Sequence, residues 1–230
     1  MSEPSSMRTG VSRRRVLAAA AAACGAVWPS QSIAQSIAGM RRAANGGSMD
    51  IDRFVAECVA ASKEGDPQAA VKEVLARAIS TPKAVLAALG QPEKAGINSL
   101  HRSKTLTIFS ASWTPQMNLV PHNHLMWALI GIYTGREDNI LWRKTSGTIE
   151  AFGAKALFEG DLAVLPADVI HSVTNPLPRF TGGIHIYGGD FFETRRSQWD
   201  PETRHEGPSD GSSIREMFER ENARPRCSGA

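Results

Sequence analysis

The chain of 230 residues is 42% hydrophobic and 21% charged, an ordinary soluble composition that suits one domain plus extensions. Its formal net charge of +3 is concentrated at the start, where Arg8, Arg13, Arg14 and Arg15 face only Glu3 within the first 34 residues. The remainder is close to neutral, so the basic balance excludes an extended nucleic-acid face and no nucleic-acid partner is expected.

Residues 12–34 read SRRRVLAAAAAACGAVWPSQSIA. A basic start precedes an Ala-rich apolar stretch from Val16 to Trp28, followed by Pro29 and the small-residue site Ser32-Ile33-Ala34. This is signal-peptide anatomy, and the stretch is too short to span a bilayer comfortably, so no stable membrane span is expected. The SRRRVL start is similar to the twin-arginine export signal, a route for folded proteins, which places the mature chain in the periplasm or outside the cell. Lipid attachment at Cys24 is the lesser alternative, because AAAC lacks a leucine three residues before the cysteine. The three cysteines, Cys24, Cys58 and Cys227, form no CxxC pair. A Cys58–Cys227 disulfide and two free thiols both remain open.

The organisation expected is a signal peptide at 1–38, a linker at 39–49 and a helical extension at 50–90. Asp50 opens the first helix, which runs to about Ser62 with Ile51, Phe54, Val55, Cys58 and Val59 on one face. Asp66-Pro67 and Thr81-Pro82 each place a capping residue before a proline at the first helical position, predicting helices over 67–78 and 82–89, the second closed by Gly90. None of the three carries a charged or histidine-rich face, so all three read as packing elements. From about residue 104 the pattern changes to period two. Strands are expected at 104–110, 117–120, 124–133, 139–143, 147–152, 155–158, 161–165, 169–173 and 181–188, separated by Gly, Pro, Asn and Asp. Many short strands at regular spacing imply a mainly β sandwich or barrel. Residues 200–230 read as a polar, mostly flexible tail with one short helix at 212–220.

The chemistry gathers in three segments. In PHNHLMWALIGIYTG, residues 121–135, His122 and His124 stand two apart at the mouth of an apolar run. Alone, such a pair equally marks a polar strand entrance. In EGDLAVLPADVIHSVTN, residues 159–175, Gly160, Pro166, His171 and Asn175 punctuate two strands. In GGIHIYGGDFFETRRSQW, residues 182–199, period two puts His185 and Tyr187 on one strand face, and Arg195 and Arg196 follow. Glu137-Asp138-Asn139 after Gly135 reads as loop chemistry, with Glu137 a candidate rim residue. Trp127 is expected to pack outside, and His101 and His205 at the surface.

Together the first two segments resemble the two motifs of the cupin superfamily, whose members fold as small double-stranded β-helix, jelly-roll-like barrels. Gly160, Pro166, His171 and Asn175 match the second motif, with Asp168 in place of its middle glycine; His122 and His124 match the first. That motif's glycine and its glutamate ligand are absent: Gln116 and Met117 stand at the former, Ala128 and Leu129 at the latter. The resemblance implies a cupin barrel over 91–199, preceded by the few short helices. A site of three neutral imidazoles without a carboxylate is similar to that of the thiol dioxygenases, the cysteine and 3-mercaptopropionate dioxygenases. The implied cofactor is one Fe(2+) held by His122, His124 and His171, or another divalent metal. The implied partners are a small thiol and O2, giving a sulfinate. Three neutral ligands leave the ion its full double charge and open positions for a thiolate. The family's Ser-x-His-x-Tyr network is matched at His185 and Tyr187, the catalytic candidates, but Gly183 occupies the serine position. No cysteine between Leu125 and Ile132 is available for the cross-link to tyrosine found in the animal enzymes, which favours the bacterial 3-mercaptopropionate-like branch. There an arginine grips the substrate carboxylate, and Arg196 stands at the matching place, a role that suits its planar fork. Two alternatives remain open: another metal-dependent cupin enzyme, and a non-catalytic periplasmic metal- or ligand-binding cupin.

Overall fold

The computed structural model describes residues 47–209 and 211–225. The leader, Cys24 and Cys227 lie outside the described residues. Three helices come first: α1 (Ile51–Ala61), α2 (Pro67–Ile79) and α3 (Pro82–Leu89). The Asp50 carboxylate accepts the Arg53 N–H at 3.0 Å and the Asp66 carboxylate accepts the Ala69 N–H at 3.1 Å, so both satisfy a donor that the first helical turn leaves free. Thr81 makes no such side-chain bond, and α3 relies on its N1 proline and on Gly90 at φ +83°.

Eleven strands follow: β1 (Gly96–Arg102), β2 (Thr107–Trp113), β3 (Asn118–Asn123), β4 (Ala128–Thr134), β5 (Arg136–Thr145), β6 (Thr148–Phe158), β7 (Leu162–Leu165), β8 (Ile170–Thr174), β9 (Thr181–Tyr187), β10 (Arg196–Trp199) and β11 (Glu206–Ser209). A last helix, α4 (Gly211–Ala223), ends the described chain. The strands form two antiparallel sheets, one ordered β1-β2-β9-β4-β7 and the other β11-β10-β3-β8-β5-β6. The expected mainly β fold preceded by short helices is present as two facing sheets, and no strand pairing among the described residues closes either sheet into a barrel.

Period two assigns each sheet face. Along β2, Phe109, Ala111 and Trp113 point into the core between the sheets, as do Ala128, Ile130 and Ile132 of β4. Their neighbours Ile108, Leu129, Tyr133, Ile184 and Ile186 point the other way and bury Phe54, Cys58, Val71, Leu75, Ile79 and Val85 of α1–α3. The three helices thus cover the outer face of the five-stranded sheet, as expected of packing elements. Gly131 on that face has no side chain to spare: an added Cβ would lie 2.9 Å from Ile79 Cγ2. Between β4 and β5 the chain leaves one sheet for the other at Gly135 (φ +82°), where a Cβ would run into Thr181 Oγ1.

Several elements differ from the sequence reading. β1 is a polar edge strand whose mixed pattern hid it, and β10 and β11 are only four residues each. β6 is one strand rather than two, with Gly153 paired to Leu141 beside a bulge. In the tail expected to be mostly flexible, the helix read at 212–220 is longer, Gly211–Ala223, and β11 precedes it. Ile214, Met217 and Phe218 recur at helical spacing and pack against the core, a stripe masked by surrounding charge. Asn222 fixes this helix by accepting the Ala95 N–H at 2.7 Å and donating to the Ala95 carbonyl at 2.9 Å.

Candidate metal centre and its cavity

β3 and β8 are adjacent strands, and their register sets His122 directly opposite His171. His124 lies beyond the end of β3, which stops at Asn123. Leu125 turns the chain at φ +55°, and His124 reaches the site from the connection to β4. His124 Nε2 lies 3.3 Å from His122 Nε2 and 3.1 Å from His171 Nε2. One ligand atom from each of the three lies within 4.8 Å of the others.

Hydrogen bonds on the far side of two rings fix their tautomers. His122 Nδ1 is 2.9 Å from the Val120 carbonyl, which only accepts, so that nitrogen carries the proton. His171 Nδ1 is 2.6 Å from Asn139 Oδ1. Asn139 Nδ2 donates to Glu137 Oε1 at 3.0 Å, which orients the amide and makes His171 Nδ1 the donor. Both Nε2 atoms therefore direct lone pairs at the same small space, together with the ring of His124. Protons on His124 cannot satisfy both, whereas a divalent cation can. Burial drives the His122 pKa down to about 4 and those of His124 and His171 well below the usual value, with the neighbouring imidazoles adding to the effect on His124. The rings are neutral, the state a metal requires of its ligands. The donor set fits a divalent ion.

The facing sheet supplies the rest. His185 and Tyr187 on β9 point inward beside the cluster, with the Tyr187 ring 4.9 Å from that of His124. His185 Nδ1 lies 3.3 Å from the Tyr187 hydroxyl. Burial pushes the Tyr187 phenol well above its ordinary range, so it stays protonated. Phe109 stacks on both side chains, at 5.6 Å from His185 and 5.2 Å from Tyr187. A Cβ on Gly183 would sit 3.2 Å from His185 Nε2 and 3.1 Å from Ile132 Cδ1.

The two arginines separate cleanly. Arg195 is exposed, whereas Arg196 is 7% exposed at the start of β10, whose Gln198 pairs with His122. The Arg196 guanidinium lies 3.8 Å over the Phe191 ring. It donates a long hydrogen bond to the Thr194 carbonyl, 3.4 Å. Among the described residues no carboxylate pairs with it. Burial lowers its pKa, but an arginine stays charged in proteins. This leaves a cation without a counter-ion beside the metal cluster.

His122, His171, His185, Tyr187 and Arg196 line one cavity of about 450 Å³. Its walls are mostly apolar, from Phe109, Trp113, Val173 and Phe191, and α4 closes one side with Met217 and Phe218. Phe218 stacks on Trp113, with ring centroids 5.9 Å apart.

Glu137 and Asn139 are the residues the sequence reading missed. Glu137 is neither loop nor rim: it is fully buried on β5, accepting Trp113 Nε1–H at 2.9 Å and Asn139 Nδ2–H at 3.0 Å. Burial alone raises its pKa, but His185, Asn139 and Trp113 outweigh that and hold it below the usual carboxylate range. The available signal was alternation. Arg136 and Asp138 form an ion pair at 2.6 Å on the outer face, which leaves Glu137 and Asn139 facing in. His101 is half-buried on β1, away from the cavity, and His205 is exposed. Trp127 packs with the helix-side cluster, outside the site.

No family model matches the chain, and neither does any curated protein sequence. Solved structures with a similar fold include an uncharacterized conserved protein with a double-stranded beta-helix domain from Klebsiella pneumoniae (10% identity, 53% of this chain and 89% of that chain, TM-score 0.35). A single-residue variant of oxalate decarboxylase from Bacillus subtilis is 17% identical over 45% of this chain and 28% of that chain, with a TM-score of 0.37. An RmlC-like cupin family protein from Methanocaldococcus jannaschii is 12% identical over 44% of this chain and 84% of that chain, also at 0.37. Within the two-sheet fold, three histidines form a cluster able to hold a divalent metal. No helix among the described residues is long and apolar enough to cross a membrane.

Proposed function

We propose that this cupin-like chain is an exported, metal-dependent oxidoreductase that uses Fe(2+) and O2 to convert a small carboxylate-bearing thiol to its sulfinate. The observation that carries the reading is a cluster of three neutral imidazoles, two of which line one cavity together with a buried arginine that pairs with no carboxylate among the described residues. His122, His124 and His171 would hold a ferrous ion without neutralising its charge, and it would supply an electrophilic site for a thiolate and for O2. The reaction is balanced: both oxygen atoms add to sulfur, and the thiol proton leaves with the sulfinic acid.

The chain's own residues do the rest. Arg196 takes the substrate carboxylate in a bidentate grip that neutralises the buried cation. Tyr187, protonated and beside His124, stands with its hydroxyl beside the reacting atoms, and His185 holds that hydroxyl. Phe109, Trp113 and Phe191 exclude water and strengthen every charge interaction in the cavity.

A second reading keeps the centre and changes the ligand. The cavity of about 450 Å³ is within the usual range for drug-sized ligands, and a three-carbon thiol acid leaves much of it unfilled. That volume favours a larger carboxylate, handled by another metal-dependent cupin reaction or bound without turnover. The deciding experiment loads the protein with iron under argon, then measures oxygen uptake and sulfinate formation over a panel of thiols with and without carboxylates. Oxygen uptake coupled to sulfinate from carboxylate-bearing thiols is the expected result. No uptake with any thiol, with iron bound, refutes thiol oxidation and leaves the second reading.

A further inference from the structure

His185 carries a contradiction at one end of its ring. Its Nδ1 faces the Tyr187 hydroxyl, but its Nε2 is buried with no hydrogen-bond partner. A buried ring nitrogen left unpaired costs about 1–3 kcal/mol. The acceptor nearest to hand is Glu137 Oε2 at 3.6 Å, long for a hydrogen bond but within ion-pair reach. Glu137 is 0% exposed, and a buried carboxylate is retained only where donors surround it. Trp113 and Asn139 supply two. The third direction, on the Oε2 side, is open to His185.

We propose that Glu137 is a positioning residue that takes the Nε2–H of His185, so that a carboxylate–imidazole–phenol chain sets the direction of the Tyr187 hydroxyl. The groups facing the ring support the assignment. Phe109 of β2 stacks on one side and Trp113 meets it edge-on; neither competes for Nε2. Tyr187 lies at the other nitrogen. The ligand histidines and Arg196 stand across the cavity and act on the ring as neutral or positive groups. Glu137 is thus the carboxylate placed to take the Nε2 proton. With that proton on Nε2, the ring's tilt is fixed and Nδ1 is the acceptor, so the Tyr187 hydroxyl donates its hydrogen to it and its oxygen lone pairs face away from the ring. The geometry also gives Gly183 a meaning. A side chain there would begin 3.2 Å from Nε2 and crowd that edge of the ring, whereas glycine leaves it clear.

A merely structural Glu137 would hold Trp113 and Asn139 and leave His185 indifferent. The effect on turnover rests on the thiol-oxidation reading; the proton assignment does not. Nitrogen-15 spectra of the imidazoles in the metal-free protein therefore come first. In the wild type, Nε2 of His185 is expected to carry hydrogen; an unprotonated Nε2 overturns the proposal without any variant. In Glu137→Gln, nearly isosteric but uncharged, the side-chain amide can donate as well as accept, so the Nε2–H preference is expected to weaken; an unchanged His185 spectrum overturns it. At saturating metal, Glu137→Gln is expected to lower kcat about 10–100-fold with little change in KM, the usual scale for outer partners of a metal site. In a Tyr187→Phe background the same substitution is expected to cost little, because its route of action is gone. A full additional loss there overturns the proposal. A wild type that oxidises no thiol sinks the functional reading, while the ring spectra still decide the role of Glu137.

Discussion

Replacing Asn139 by leucine, close to it in volume, removes two buried hydrogen bonds at once. The amide oxygen accepts His171 Nδ1–H at 2.6 Å and the amide nitrogen donates to Glu137 Oε1 at 3.0 Å. Losing the first leaves a buried imidazole N–H unpaired, at about 1–3 kcal/mol; losing the second removes a donor to a charged group, at about 1.5–3 kcal/mol. The two share a neighbourhood and are not fully additive, so a total of about 3–5 kcal/mol is expected. Urea denaturation of metal-free protein reads this number directly. A second effect is separable: without the acceptor, nothing holds the His171 proton on Nδ1, and Nε2 is no longer kept free for a metal. Divalent-metal affinity, measured by competition with a chromophoric chelator, is expected to fall about 10–100-fold. Wild-type affinity in a folded Asn139→Leu protein would refute the argument that this amide sets the ligand's tautomer. Unchanged stability would refute the burial cost.

Arg196→Ala is expected to raise KM for a carboxylate-bearing thiol by the equivalent of about 1.5–3 kcal/mol, the scale of hydrogen bonds to a charged group, and to leave a thiol without a carboxylate almost unaffected; equal effects on both refute the carboxylate grip. Cys58 of α1 is buried in the helix-side cluster, and burial pushes its thiol up to about 12. In a Cys24→Ser, Cys227→Ser background, native protein at pH 8 is therefore expected to react with an aromatic disulfide only as fast as it unfolds. The sign follows: the folded pKa is raised, so this group's stabilisation is complete below about pH 9, the unfolded thiol's value, and is lost as pH climbs toward 12. Melting temperature followed across that window checks it. Phe218→Ala is expected to destabilise by about 3 kcal/mol, the low end for a buried phenylalanine, since this side chain is 8% exposed and stacks on Trp113; a loss within error would show that α4 does not close the cavity.

What the sequence disclosed depended on how strongly each pattern was confined. The helices were legible because two punctuating prolines and a broad apolar stripe survive without tertiary context: Phe54, Cys58, Val71, Leu75 and Ile79 all land in one packed cluster. Strands buried on both faces, such as β4 and β9, were legible for the same reason. β1 was not, because a polar edge strand need bury little. β10 and β11 were not, because four residues carry almost no period. The histidine cluster was legible only through motif spacing; the register that sets His122 opposite His171, and the turn at Leu125 that brings His124 back, belong to three dimensions. Glu137 was hidden by its own charge. A run of Arg, Glu, Asp and Asn reads as solvated, and only the outward ion pair of Arg136 with Asp138 shows that the alternate positions point inward.

That hidden carboxylate joins the two sheets' contributions. The chain crosses from β4 to β5 at Gly135, and two residues later Glu137 faces the core. From there it addresses one histidine on each sheet: His171 of β8 through the Asn139 amide, and His185 of β9 directly. Trp113 of β2 donates to the same oxygen that faces His185, but touches neither arm's proton. An order of effects on metal affinity follows. Asn139→Leu removes the acceptor on His171 and should weaken binding most. Glu137→Gln keeps that acceptor but removes the reason for its orientation, since a glutamine can meet either end of the asparagine amide; its effect should be intermediate. Trp113→Phe leaves the chain of amide and imidazole intact, so any loss of affinity should be small. The three are to be compared by chelator competition at one pH, each corrected for its own stability. If Trp113→Phe weakens metal binding more than Asn139→Leu does, packing rather than proton placement governs the centre, and the carboxylate's hold on both arms is disproved.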